Sequence, residues 1–322
     1  MDVQRWIARR EPQWQKLEAL LKRLETKGIK SLKADEIALM ASLYRSVSAD
    51  LARSKTHQLG EAITHHLQTL TSRSYSQIYQ GSRKQEWRAV LDFYLWGFPS
   101  VVYQSRVYIA ISFGIFLTGA IIAWWFSWRD PSFLSLIVPE RLIHLVRDRG
   151  ELWMGSILGS EPIASSSITI NNLTVCFRTV AGGITGGLLT AFFLFFNGIL
   201  IGAIASLVQQ YGLAIPFWAF VFPHGALELP AIFLAGGAGL LIAKALLFPG
   251  EYRRIDAFKI YGNQAAQLMF GVVPLLLIAG AIEGFFSPNP SIPNPFKYLV
   301  GILLLCGLMI YFRNRPSTVS SQ

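Results

Sequence analysis

The chain has 322 residues, of which 52% are hydrophobic and 15% charged, more apolar and less charged than a soluble domain of that length. Its net charge of +10 is unevenly spread: residues 1–100 hold sixteen Lys/Arg against ten Asp/Glu. The two cysteines, Cys176 and Cys306, stand in apolar stretches, which excludes a disulfide framework or a thiolate metal site, and no apolar run at the start serves as a secretory signal.

The first hundred residues predict an aqueous helical bundle. Trp14, Leu17, Leu20, Leu21 and Leu24 recur at intervals of three and four between residues 11 and 27, and Gly28 ends that helix. A second helix over residues 33–57 carries Ile37, Met40, Leu43, Tyr44, Val47 and Leu51 on one stripe, with Asp35, Glu36, Arg45, Asp50 and Arg53 on a solvated or domain-facing side. Asp50 and Arg53, three apart, are placed to pair along it. Helical periodicity continues over 61–80 and 83–97, with Gly81 and Ser82 as the expected break. The positive excess suits anionic lipid head groups. It is too dispersed for a nucleic-acid tract.

The rest, residues 101–322, predicts a transmembrane domain of about six helices. Residues 107–128 are uncharged and close on Trp124, Trp125 and Trp128, a spanning helix with an interfacial aromatic belt. The segment PERLIHLVRDRGELW reads as an amphipathic surface helix. Residues 173–208 are too long for one span, so two helices are expected, turning at Asn197-Gly198, with Gly182, Gly183, Gly186 and Gly187 as close-contact faces. Arg178 is placed at the external interface. Prolines at 216, 223 and 230 predict a half-helix, a break at Pro223, and a full helix over 228–247. A basic loop over 249–263, a span over 264–286, a stiff proline-rich connection SPNPSIPNP and a last helix over 297–312 complete the series. Six crossings place both termini and the 249–263 loop on one basic side, the cytosolic one.

Polar groups in hydrocarbon are costly, so each needs a partner or a purpose. His224 and Glu228 in FPHGALELP are four apart, and Gly225 permits a sharp bend after Pro223. Two roles are open to them. One is a structural clamp across the break; the other is a ligand site, with Asn197, Gln264, Gln267 and Glu283 as further lining. A zinc protease is disfavoured because HGALE lacks the second His of H-E-x-x-H. No Walker-type phosphate loop and no nucleophile triad can be assembled, so neither a catalytic residue, a metal site nor a cofactor is expected.

The segments LYRSVSADLAR (residues 43–53), Asn197-Gly198 and above all FPHGALELPAIFLAGGAGL (residues 222–240) resemble the integral membrane family of stage II sporulation protein M, over nearly the whole chain. The matching positions are Asn197, Gly198, Pro223, His224, Gly225 and Glu228. The resemblance implies a multi-pass bacterial inner-membrane protein with no established catalytic site. The sporulation member is a scaffold that works with peptidoglycan-degrading partners during engulfment, and relatives occur in bacteria that form no spores, cyanobacteria among them. The expectation is therefore an all-α polytopic membrane protein with a cytosolic N-terminal bundle and a broken or re-entrant helix. It is not an enzyme. It acts as a scaffold for envelope partners within the lipid bilayer, and its Gly-rich helix faces allow a homo-oligomer. The alternative is a transporter or channel for a small polar solute or ion at His224 and Glu228.

Overall fold

A computed structural model describes residues 3–154 and 161–313. Its described residues are helical with no strand, and they divide into two compact units between Asp92 and Phe93.

The first unit is three helices: α1 (Val3–Lys27), α2 (Ala34–Thr56) and α3 (Glu61–Asp92). The apolar stripe read on α1 is its core face, since Trp14, Leu17, Leu20, Leu21 and Leu24 are buried against Met40, Leu43 and Val47 of α2 and Leu67 and Leu70 of α3. Three local expectations are corrected. Helix α1 starts at Val3 and runs through Pro12. Helix α3 continues across Gly81 and Ser82, so the backbone does not break there. Asp50 faces inward rather than toward Arg53: it is fully buried, and its Oδ2 accepts from Arg10 Nε at 2.8 Å and from Trp14 Nε1 at 3.0 Å. A carboxylate at this depth is tolerable because two donors from α1 meet it. On the surface, Arg23 bridges to Glu36 and Arg73 to Glu25. The hydrogen bond from Arg73 holds the Glu25 carboxyl below its ordinary pKa.

The second unit begins with a wide π-turn (Phe93–Gly97) and the short α4 (Phe98–Gln104). It continues through α5 (Arg106–Arg129), α6 (Pro131–Ser135), α7 (Glu140–Arg149), α8 (Glu161–Ala181), α9 (Leu188–Gln210), α10 (Ala214–Leu247), α11 (Arg254–Ala281) with a terminal π-turn (Ile282–Phe286), and α12 (Asn294–Arg313). Among the described residues, five helices are long and apolar enough to cross a membrane: α5, α9, α10, α11 with its π-turn, and α12. Helix α8 is not one of them, because Ser165, Ser166, Ser167, Asn171 and Asn172 dilute it. It nevertheless packs along α9, α10 and α11. Side-chain and backbone contacts fix the directions. Gly119 meets Phe195, Gly198 meets Phe116 and Gly202 meets Ala120, so α5 and α9 run parallel. Gly236 and Gly237 of α10 meet Ser112 and Ile109 of α5, which makes α10 antiparallel to both. In the same way α8 and α12 run with α10, and α11 with α5.

Gly182 and Gly183 are the close contacts expected of them, since a Cβ would stand 2.5 Å from Thr190 N and 2.2 Å from the Gly239 carbonyl oxygen respectively, but Gly186-Gly187 and Asn197-Gly198 exchange roles. The chain reverses at Gly182–Thr185, where Gly186 and Gly187 take φ of 69° and 87°, a left-handed geometry that a Cβ disfavours. Asn197-Gly198 is no turn at all but the middle of α9. Gly198 and Gly202, four apart, press against α5 so closely that a Cβ on either would stand 2.0 Å from the carbonyl oxygen of Phe116 or Ala120. That is the small-residue contact by which membrane helices bring backbones together.

Helix α10 is likewise unbroken. It runs for 34 residues with Pro223 and Pro230 inside it, as membrane helices allow when neighbours compensate the lost N-H. The expected break and the re-entrant half-helix are therefore absent. Arg178 ends α8 beside the 182–187 turn, the same end of the bundle as Lys244 and the start of α11. It and the 249–263 loop thus share a side, against the opposite placement expected from the sequence. The amphipathic α7 exists, and its Ile143 and Val146 pack on Ala123, Ala203 and Leu207 rather than on lipid alone. The proline-rich connection folds as turns, with Asn289 Oδ1 accepting from Ser291 N, instead of extending.

Two outcomes follow for stability. Asp50→Ala strands the Trp14 indole N-H and the Arg10 guanidinium, and should cost about 2 kcal/mol, read as a lowered thermal midpoint of purified protein. Gly202→Leu should cost about 3 kcal/mol through overpacking. The control Gly307→Ala, where no atom lies within 4 Å of the new Cβ, should stay within about 0.5 kcal/mol of wild type.

Candidate functional site

The site is built where α8, α10 and the end of α11 meet. On α10, a regular helix puts His224 and Glu228 one turn apart on one face. The π-turn ending α11 places Glu283 and Ser287 opposite them. Such turns widen the helix and recur at functional positions. His224 is buried, 4% exposed. Its Nδ1 lies 3.2 Å from Ser287 Oγ and its Nε2 3.8 Å from Glu283 Oε1, while the Phe220 ring stands edge-on at 5.5 Å between centroids. One ligand-capable atom from each of His224, Glu228 and Glu283 falls within 4.8 Å of the others. Glu228 is therefore part of a trio, and His224 makes its nearest polar contacts with α11 rather than closing a clamp with Glu228 alone.

These groups line a partly open cavity of about 470 Å³. Helix α8 contributes Ser167, Asn171 and Asn172, and Trp153, Phe217, Trp218 and Ile204 supply apolar wall. Helix α8 is held here by Ser165 Oγ donating to the Gly280 carbonyl at 2.8 Å, with Thr169 against Gly280 where a Cβ would clash. One further ion borders the site. Lys297, in the first turns of α12, is buried and donates to the Ser287 carbonyl at 2.6 Å.

Of the residues singled out in the sequence, His224, Gly225, Glu228 and Glu283 share this cavity. Pro223 is buried in α10 beside it. The others go elsewhere: Asn197 Nδ2 donates to the Phe193 carbonyl of its own helix, Gly198 packs on α5, and Gln264 Nε2 donates to Ser105 Oγ at the other end of α11. Gln267 is half-buried and outside the lining. Sequence reading passed over Asn171, Asn172, Ser287 and Lys297. Lys297 did carry a signal, since a lysine three residues into an apolar helix must either snorkel or find a partner.

Away from the spans, α7 carries a surface cluster. His144 Nδ1 lies 2.6 Å from Asp148 Oδ2, and Arg147 Nε donates to Asp148 Oδ1 at 2.8 Å. The Arg147 hydrogen bond, aided by His144, holds the Asp148 carboxyl down at about 2. The Asp130 carboxyl is lowered by the Ser132 hydroxyl and backbone N-H it accepts from as the N-cap of α6.

Residues 112–288 match the family model of stage II sporulation protein M, which takes in the α5–α11 bundle and every member of the cavity trio. Residues 4–80 match a separate model, a domain of unknown function (DUF8413), so the first unit has a family of its own. Uncharacterized protein MJ0793 of Methanocaldococcus jannaschii is 32% identical over 128 residues, 38% of this chain and 70% of that relative. No solved structure matches. With more than half of its length under one family model, the chain belongs to the stage II sporulation protein M family.

Proposed function

We propose that this multi-pass membrane protein handles a small polar solute or ion, as a transporter or channel, with the His224, Glu228 and Glu283 cavity as its binding site. The observation that carries the reading is the convergence of three ionisable side chains from two helices in one cavity of about 470 Å³. Ionisable groups among membrane helices are costly and mark ligand or ion paths by default. The sequence favoured a scaffold because polar side chains in the spans are few. In the fold, Ser167, Asn171 and Asn172 join the trio in the lining, Ser287 and Lys297 stand behind His224, and the acids face one space. The role is a non-enzymatic one.

The orientation supporting this reading has the cavity near the external face. Arg106, Arg178, Lys244, Arg253, Arg254, Lys259 and Arg313 gather at one end of the bundle, against Glu251 and Asp256. The opposite end mixes Arg129, Arg141, Arg147 and Arg149 with Asp130, Glu140, Asp148 and Glu151. By the positive-inside rule the first end is cytosolic, and with α8 counted as a crossing both termini lie there, in a bacterial inner membrane. A single cysteine placed at 291 should be labelled by an impermeant reagent in intact cells, and one at 251 should not. The reverse pattern would overturn the orientation.

A second reading, a partner-organising scaffold in the cell envelope, is favoured by the first unit, which has its own core and its own family match. Flux separates the two. Protein reconstituted in liposomes and screened with small cations and polar solutes should show uptake that Glu228→Gln reduces at least about tenfold, the loss of about 1.4 kcal/mol of differential binding. Wild-type liposomes no leakier than empty ones would favour the scaffold.

A further inference from the structure

We propose that His224, Glu228 and Glu283 bind a divalent transition-metal cation, an inference that rests on reading their cavity as a ligand site and names the class of ligand. The donor set is one imidazole nitrogen and two carboxylates, contributed by two helices, with ligand-capable atoms already within 4.8 Å of one another. Ligands held about 2.1 Å from a tetrahedral ion stand about 3.4 Å apart. The observed His224 Nε2 to Glu283 Oε1 separation of 3.8 Å is close to that, so small rotations of the carboxylates complete the shell.

The imidazole is oriented for the task. Its Nδ1 lies against Ser287 Oγ, which leaves Nε2 turned toward the acids. A second-ring-nitrogen partner of this kind usually fixes the tautomer and direction of a metal-binding histidine. Ser287 is anchored in turn, because its carbonyl accepts from Lys297 Nζ.

Charge points the same way. Among the described residues, neither Glu228 nor Glu283 has a Lys or Arg ion-pair partner, and Lys297 spends its proton on a carbonyl. Two carboxylates side by side among membrane helices repel and are poorly solvated. A divalent cation between them removes both costs at once. The class follows from the donors: an all-oxygen shell suits Mg²⁺ or Ca²⁺, and thiolates suit Cu⁺, whereas mixed imidazole and carboxylate donors suit Zn²⁺, Mn²⁺ or Fe²⁺. Cys176, buried on α8, is not among the cluster's members. The open side of the cavity and the amides of Asn171 and Asn172 leave room for water in the remaining coordination positions.

The test uses the full chain purified in detergent, stripped with a chelator and dialysed against Zn²⁺ or Mn²⁺. Metal per chain is counted by mass spectrometry, and affinity is taken from competition with a chromophoric chelator. Wild type should hold one ion per chain. Glu228→Gln and Glu283→Gln, nearly isosteric changes, should each weaken binding about 100-fold, and Ser287→Ala about tenfold. X-ray absorption at the zinc edge should lose its imidazole scattering in His224→Gln. Equal metal content in wild type and in the Glu228→Gln, Glu283→Gln double variant, with both folded by their melting curves, would overturn the proposal. The failures are distinguishable: flux that depends on Glu228 without metal binding sinks the cation assignment and leaves the transport reading standing, whereas stoichiometric metal without flux upholds the site and sinks transport.

Discussion

Backbone contact between α5 and α9 is the constraint on which the second unit depends. In lipid no hydrophobic force draws two apolar helices together, so close packing must supply the attraction, and packing is closest where side chains are missing. Gly119, Gly198 and Gly202 remove them along one seam. The same device continues onto α10, where Gly236 and Gly237 admit Ser112 and Ile109 and Gly239 meets Thr179 and Thr190. With α5, α9 and half of α10 drawn into one wall, the rest of α10 is left to α8, α11 and α12. The cavity opens where α8, α10 and the end of α11 meet, with Ile201 and Ile204 of α9 closing its wall.

Polar side chains in the bundle fall into two kinds. Many satisfy themselves on their own helix: Thr118, Ser166, Thr169, Thr174 and Thr179 each donate to the carbonyl four residues back, and Asn197 does the same. Such local bonds let a hydroxyl or amide sit in an apolar helix without a distant partner. A carboxylate has no donor to give and cannot use that route. Glu228 and Glu283 must find their partners across helices, which is why they and His224 assemble at one place while the hydroxyls scatter.

Helix type, the apolar stripe of α1 and the aromatic close of α5 were legible in the sequence because they rest on local periodicity. The misreadings share a cause. Glycine and proline have one meaning in water and another among membrane helices: Gly198 looked like a turn but is a contact surface, and Pro223 looked like a break but lies inside an unbroken α10. Of the four glycines read as contact surfaces, Gly182 and Gly183 are that, while Gly186 and Gly187 are the turn. Only tertiary neighbours decide between those meanings. Asp50 failed in the same manner, since its partners are Arg10 and Trp14, far off in the chain. His224, Glu228 and Glu283 were read together as one lining, but so were Asn197 and Gln264, which lie elsewhere; what selects Glu283 is the π-turn at Ile282–Phe286, which no spacing announces. Ser287 and Lys297 come into view only with that turn.

The helices also differ in length in a way that fixes where the bilayer ends. At 1.5 Å per residue, the 20 residues of α12 match a hydrocarbon thickness of about 30 Å, whereas the 34 of α10 reach about 51 Å. At the basic end Lys244 lies over the rings of Tyr261 and Tyr108 at 4.4 and 5.4 Å, an aromatic-cation collar suited to the head-group layer. Only three residues of α10 follow Lys244, so the excess length lies at the opposite end. Counted back from the collar, about 20 residues at 1.5 Å each cross the hydrocarbon and reach the level of His224, which sets the cavity at the head-group layer of the far face, within reach of water without a path through the lipid.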